Sequence, residues 1–561
     1  MAGERDCAVI VIGAGPCGLM LAIELGRRGI PVVVLEEKTS PARFPAANAT
    51  QARTMEHYRR LGFAEEIRAL GLPGDYPTDI AYFDRYVGHE LARFRLPSAQ
   101  AARAMIRTLT GSWSAAELPQ RCSQMYIEGV LRAQAQACAT VSMRAGWRAV
   151  AVRASTDAVE VEAERADGGA HALLRAAYAV GADGAGSATR KSLGYDLIGE
   201  RGAVRDFLGG RMLAFHFRSS ELYGVIPHAR AWMCWAVNCE RRGIMASING
   251  RDEFVFHTQL REGEDARRIS DAQAKSIFHV ALGAKLDVDI IARSAWSAGY
   301  ALVAEKFRCG RILLAGDAAH LFTPTGGLGY NTAVEDAVNL GWKLAAVLKV
   351  WGGGCLIESY EVERRAIAER NTAYARGFAD SVGRFVPPPE LEDEGAVGAA
   401  ARRAAGDHLH AHARFEFDIP GITFGGRCDG SPIILSDGTP PPADSINNYV
   451  PSACPGGRAP HLWLPDGRSL YDALGFEFTV VRSGPKPPDA ASFKTVAAAL
   501  GIPLAVVDVA SEEARDLYGA DLALIRPDQI VAWRGNTASG AADVLRRAVG
   551  HGRQTHEGVT S

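Results

Sequence analysis

Apolar residues fill Cys7 to Ile12, glycines crowd GAGPCG, apolar positions recur at helical spacing over Leu19 to Arg28, and Pro31 to Leu35 is a valine-rich run. A short continuous apolar run, a turn, an amphipathic stretch and a second apolar run predict a βαβ unit. A further helix is expected over Thr50 to Leu61, ended by Gly62 and capped by Asn48 or Thr50. Two more buried strands run into glycine: Tyr178 to Gly181 before ADGAGSATR, and Ile312 to Ala315 before GDAAH. GGLGYN then opens a helix whose apolar positions Val334, Val338, Gly341, Ala345 and Leu348 form one core-facing stripe.

From Leu208 to Trp296 the pattern changes to short alternating runs, AWMCWAV, GIMASI and EFVFHTQL, with turn signals such as NGRD. These predict an antiparallel sheet inserted into the nucleotide-type unit. Pro-rich segments at VPPPELEDEG and TPPPAD mark boundaries. The tail alternates again: strand FEFTVV, helix SFKTVAAALG, strand PLAVVDV, a short helix, strands LALIRPD and IVAWRG, helix AADVLRRAVG, a small α/β unit.

At 561 residues the chain is too long for one hydrophobic core, so about three units are expected. The 62 Lys plus Arg nearly balance 64 Asp plus Glu, which argues against nucleic acid or an anionic membrane as main partner and favours uncharged small molecules. No secretory leader, membrane-length apolar run or CxxC pair is visible, so a cytoplasmic protein with reduced thiols is expected. The 60 glycines exceed the average share, and where they cluster carries the chemistry.

Gly13, Gly15 and Gly18 have the spacing of a dinucleotide turn, and Glu36 ends the following strand. The first glycine permits the turn, the second lets backbone approach a pyrophosphate, the third allows strand and helix to pack closely, and the acid binds a ribose hydroxyl pair. An acidic residue there disfavours a 2′-phosphate, leaving FAD or NAD. A dehydrogenase would continue through further parallel units, whereas this chain breaks into a sheet and returns at GDAAH.

GAGPCG, AVGADGAGSATR and RILLAGDAAHLFTPTGGLGYNTAVEDAVNLGWKLA, in this order, resemble the single-component FAD-dependent aromatic hydroxylases of the para-hydroxybenzoate hydroxylase and phenol hydroxylase type. The tail, with RAPHLWLPDGRSLYD and LALIRPDQIVAWRG, is similar to the thioredoxin-like C-terminal domain of the phenol and polyketide hydroxylase branch. The resemblance implies a mixed α/β and α+β chain. Its parts would be a Rossmann-like, glutathione-reductase-type FAD domain (1–78, 105–200 and 297–390), a substrate sheet (79–104 and 201–296), a linker (391–454) and a thioredoxin-like unit (455–561).

It further implies an FAD site built from Gly13, Gly15, Pro16, Cys17, Gly18, Glu36, Glu37, Arg53, Gln124, Asp183, Gly184, Gly316, Asp317, Pro324, Gly327, Leu328, Gly329 and Asn331. Asp317 would bond the ribityl chain, Pro324 would lie against the flavin ring, and Gly327 to Asn331 would aim helix-start N–H groups at its pyrimidine end. Many relatives carry Arg or Lys near Ala46 or Ala47; here either Arg43 or Arg53 is expected to substitute, or the flavin is expected to be held more loosely.

The implied reaction is NADPH- or NADH-driven, O2-consuming hydroxylation of a small aromatic, phenolic substrate through a flavin C4a-hydroperoxide, in a homodimer. The substrate pocket is expected to use His257, Asn48 and Asn249 beside Pro324, with His257 accepting the phenolic proton, and with Trp232, Trp235 and Trp296 lining the pocket or filling the sheet. Rival readings on the same scaffold are a Baeyer–Villiger or a denitrating or dehalogenating oxygenase, or a flavin protein that traps or scaffolds an intermediate. HLHAHAR lacks matched ligands for a metal, Ser187 lacks the GxSxG context of a hydrolase, and Cys234 and Cys239 read as sheet core.

Overall fold

The computed structural model describes residues 5–40, 44–202, 205 and 207–552. Its centre is a six-stranded sheet ordered Arg308–Cys309, Ile312–Leu314, Tyr178–Gly181, Val9–Ile12, Val32–Glu36, Val141–Ala145, parallel except at the first edge. The apolar runs read as buried strands because both faces are covered. Val9, Val11, Val32 and Val34 pack under the helices Pro16–Gly26 and Leu328–Leu348. Ile10, Ile12, Val33 and Leu35 face a three-stranded sheet formed by Trp147–Ala154, Val159–Arg165 and His171–Ala176. The helix expected after Asn48 spans Ala52–Arg60 with Gln51 at its N-cap, so neither Asn48 nor Thr50 caps it.

The inserted sheet has seven strands in the order Asp289–Ser297, Arg211–Arg218, Glu253–Gln259, Gly243–Ser247, Met233–Ala236, Ile80–Phe83, Glu90–Phe94. It is not purely antiparallel as the pattern suggested: Met233–Ala236 pairs parallel with Ile80–Phe83, because the two come from distant chain segments. One face, with Leu213, Phe215, Phe217 and Phe256, is sealed by Phe278 of the helix Asp271–Leu282. The other face turns towards the nucleotide-type unit. Cys234 is buried as expected, but Cys239 sits exposed in the turn after its strand.

Residues 391–454 are more than the linker expected from their Pro-rich boundaries. They hold a 23-residue helix, Gly395–Phe417, packed on Ile80–Phe83 and Glu90–Phe94. Its buried positions Ala405, Leu409, His412, Ala413 and Glu416 keep helical spacing but include few large apolar side chains, which is why hydrophobicity alone hid it. The C-terminal unit is a mixed four-stranded sheet ordered Leu504–Val509, Phe478–Ser483, Leu522–Ile525, Val531–Gly535, with helices on both faces. No described helix is long and apolar enough to cross a membrane.

Candidate active site

The site grows from four chain turns at the carboxyl ends of the parallel strands. Gly13 has φ +104° and a Cβ on it would lie 2.3 Å from the Ala182 carbonyl oxygen, so the first glycine turn and the Asp183–Gly184 turn abut. A Cβ on Gly18 would lie 2.0 Å from the Gly13 carbonyl oxygen, but one on Gly15, the N-cap of the first helix, would meet nothing within 4 Å among the described residues. Space is therefore open where a pyrophosphate must approach, and closed where strand and helix touch. Pro16 starts the helix without needing an N–H, and the Cys17 side chain is directed towards Gly316 rather than the opening. Glu36 reaches back across this opening: Oε2 accepts the Ala14 N–H at 2.7 Å and Oε1 the Lys38 N–H at 2.9 Å. Glu37 beside it is exposed.

Asp183 serves its own turn, accepting the Ser187 hydroxyl at 2.5 Å and the Thr189 N–H and hydroxyl at 3.0 Å. Asp317 is different. Its side chain is exposed, yet the protein packed around it still raises its pKa by desolvation, with His320 countering and Asp336 adding to the rise. No described group bonds it, as fits a carboxylate waiting for the hydroxyls of a cofactor chain. Behind it the sequence reading missed a buried brace. Asp336 accepts the Gly316 N–H at 3.1 Å, His320 Nε2 lies 2.7 Å from the same carboxylate, and Arg364 Nε donates to it at 2.7 Å. Burial alone would raise the Asp336 pKa, but His320 and Arg364 hold it below the usual carboxylate range.

Gly326 and Gly327 both adopt left-handed conformations, φ +67° and +63°, and bend the chain from exposed Pro324 into the 21-residue helix Leu328–Leu348. That helix points its positive end into the cleft. Leu328 contributes only backbone there, since its side chain is buried with Phe378 and Ile419, and Gly329 packs against Phe322. Asn331 braces the loop: its side chain accepts the Gln51 N–H at 2.8 Å and the Thr54 hydroxyl at 2.7 Å, and donates to the Ala49 and Gly327 carbonyls. Gln124 donates its backbone N–H to Ala47 and its side-chain amide to Glu128.

Two expected site residues are used elsewhere. Arg53 is buried against Glu56, Gln529 and the Asp528 carbonyl, reaching the C-terminal unit and not the cleft, so it does not replace the base absent at Ala46 and Ala47. Arg43 lies outside the described residues. Asn249 is consumed by its hairpin turn: its oxygen accepts the N–H groups of Arg251, Asp252 and Glu253, and its amide donates to Asp252. A following glycine at a strand end favours that turn use.

The inner face of the seven-stranded sheet presents one lateral row across its strands: Ser294, Ala214, His257, Ile244, Trp235, Tyr82, Ala92. Ser294, His257, Ile244 and, two residues beyond Ser294, Trp296 are partly open. His257 and Trp296 meet edge to face at 5.9 Å, and His257 Nδ1 and Trp296 Nε1 find no partner among the described residues. Ala49 joins this cluster and also stands 3.1 Å from where a Gly327 Cβ would be, so the row and the glycine loop flank one space. Asn48 Oδ1 is likewise unpaired there. Trp232 is fully buried and belongs to the sheet core.

A helix N-terminus for a pyrophosphate, an acid at the adjacent strand end, an exposed and unpaired carboxylate at Asp317 and a second helix N-terminus beside an aromatic wall together accommodate FAD: they define a flavoprotein with an aromatic substrate space. Comparison with known proteins agrees. Residues 6–375 match the FAD binding domain family and residues 452–552 the aromatic-ring hydroxylase C-terminal family. The chain is 31% identical over 560 residues to the FAD-dependent monooxygenase apdD of Emericella nidulans, covering 94% of this chain and 87% of that one. The solved structure of the rebeccamycin biosynthetic enzyme RebC with reduced flavin superposes with a TM-score of 0.85 at 30% identity, covering 98% of this chain and 99% of that one. Aklavinone-11 hydroxylase, solved with FAD and aklavinone, gives 0.83 at 28% identity over 98% and 99%. The chain belongs to the FAD-dependent aromatic-ring hydroxylases. It is a flavin-dependent monooxygenase that hydroxylates aromatic substrates.

Proposed function

We propose that the protein hydroxylates a phenolic ring held between the inner sheet face and the loop Pro324–Gly327, using NADPH or NADH as transient reductant and O2 as oxidant. The observation carrying this reading is the row Ser294 to Tyr82: a hydrophobic wall with isolated, unpaired polar atoms opposite a glycine-built helix start. FAD, when bound, supplies the reductive activation of oxygen and its transfer to an electron-rich ring carbon. Gly15 and the helix Pro16–Gly26 would hold its pyrophosphate, Glu36 its ribose, Asp317 its ribityl chain. The N–H groups after Gly327 would favour negative charge on its pyrimidine end. Ile244 and Trp296 exclude water from the space between.

His257 has a narrower role than its residue type suggested. Burial lowers its pKa to about 4, so the imidazole is neutral across the physiological range and too weak a base to keep a phenolic proton. It serves as a hydrogen-bond partner that orients the hydroxyl and polarises it in place. Replacing His257 by Ala should lower hydroxylation about tenfold, the value of one lost hydrogen bond, with FAD content unchanged. Equal product formation would remove His257 from the site. Because the lowered pKa lies near 4, the pH profile of kcat/KM should show no His257 inflection between about 6 and 7. An inflection there that disappears in His257→Gln would contradict the assignment.

The C-terminal unit reads as thioredoxin-like: its central strand Phe478–Ser483 pairs parallel with Leu504–Val509 and antiparallel with Leu522–Ile525, which supports that topology. With no CxxC pair, a bracing role and support of a homodimer are the proposed uses.

A further inference from the structure

The helix Gly395–Phe417 carries a buried polar pair that the reading above leaves unused. Glu416 Oε1 accepts the Gly326 N–H at 2.8 Å, so this helix holds the loop that begins the flavin-side helix. The other oxygen, Oε2, makes no hydrogen bond among the described residues: His412 Nε2 lies 2.9 Å away, off the line a bond requires. The His412 ring sits edge-on to Tyr82 at 6.4 Å and to Trp235 at 6.2 Å, the far end of the aromatic row. The Tyr82 hydroxyl and Trp235 Nε1 are also unpaired among the described residues, and all four side chains are more than nine-tenths buried.

A buried donor or acceptor left unmade costs about 1–3 kcal/mol, so five such atoms on four neighbouring side chains are not explained as packing alone. Their chemistry is complementary: a carboxylate oxygen that accepts, and a phenol and an indole that donate. Tyr82 stands three strands from His257, about 14 Å at ordinary strand spacing.

We propose that Glu416, His412, Tyr82 and Trp235 form a second polar subsite, which takes the hydroxyl-bearing far edge of an extended, fused-ring aromatic substrate. The inference rests on the proposed aromatic cavity. The guest hydroxyl donates to Glu416 Oε2, and a neighbouring carbonyl or phenolic oxygen accepts from Tyr82 or Trp235. These bonds replace the unmade ones and offset opening the closed packing. Because Glu416 also holds Gly326, the carboxylate that reads the substrate steadies the flavin-side loop, making Glu416 a positioning residue as well as a recognition group.

The test titrates the FAD-loaded protein with dihydroxyanthraquinone and with unsubstituted anthraquinone, following tryptophan quenching and the flavin spectrum. The wild type should bind the hydroxylated probe about tenfold more tightly, one hydrogen bond's worth. Glu416→Gln keeps an oxygen for Gly326 but presents an amide N–H to the guest. It and His412→Phe should bring the two affinities within about twofold. A wild type without preference, or a Glu416→Gln protein that retains it, overturns the subsite. Failure of the hydroxylase reading is separately visible, as preference without probe-stimulated NAD(P)H oxidation.

Discussion

A Gly15→Ala protein should fold normally and purify without its yellow colour. An added Cβ meets no described protein atom within 4 Å, so stability should fall by no more than about 1 kcal/mol, the difference between glycine and alanine at a helix N-cap. The same methyl group would occupy the space in which the pyrophosphate meets the N-terminus of the helix Pro16–Gly26. FAD affinity should fall at least about 100-fold, read by titrating the apoprotein. Gly18→Val is the contrasting variant: its Cβ would lie 2.0 Å from the Gly13 carbonyl oxygen, so it should lose FAD and stability together. A Gly15→Ala protein that keeps wild-type affinity would show that the opening at Gly15 is not the pyrophosphate site.

The second large effect is expected at the seam between the C-terminal unit and the flavin-side helix. Glu363 accepts from Lys343 at 2.7 Å, from Asn339 at 2.7 Å, from Ser431 at 2.6 Å, and from Arg526 at 2.8 and 2.9 Å, with every charged member fully buried. Burial would raise the Glu363 pKa, but Arg526 and Lys343 outweigh it and hold the carboxyl well below its ordinary range. Glu363→Ala leaves the buried Lys343 ammonium without a carboxylate partner and Arg526 with Asp528 alone, and should cost about 3–5 kcal/mol, seen as a lowered unfolding midpoint. The pH sign follows from the lowered pKa. The contribution is fully present above the ordinary carboxyl value of 4.5 and is lost as pH falls below it towards the folded-state value. A variant within about 1 kcal/mol of the wild type would mean that the seam is not a buried ionic lock.

Legibility followed the physical source of each signal. The dinucleotide turn is readable because Gly13 and Gly18 answer steric demands of the chain that no other residue type meets, while Gly15 leaves the approach to the helix start open. The strands of the central sheet were readable because burial on both faces demands unbroken apolar runs. The helix Gly395–Phe417 was not, since its buried face is Ala, Gly, His and Glu, and only contact with the sheet shows that His412 and Glu416 point inward. The brace Asp336, His320 and Arg364 was hidden for a related reason: its members lie 16 and 28 residues apart and are joined only by the fold. Asn249 and Arg53 erred in the opposite direction. Residue type and position suited a ligand, but a hairpin turn and an interdomain contact claim their hydrogen-bonding groups.

A hydroxylase of this class places one oxygen atom from O2 on an aromatic ring. Incubating the FAD-loaded protein under 18O2 with NADPH or NADH and a panel of phenols and hydroxyanthraquinones, then weighing the products by mass spectrometry, tests it directly. Substrate-stimulated reductant oxidation and a product that carries a single labelled oxygen are the expected result. Unlabelled product, or reductant consumed with all the label recovered in hydrogen peroxide for every compound tried, would contradict it.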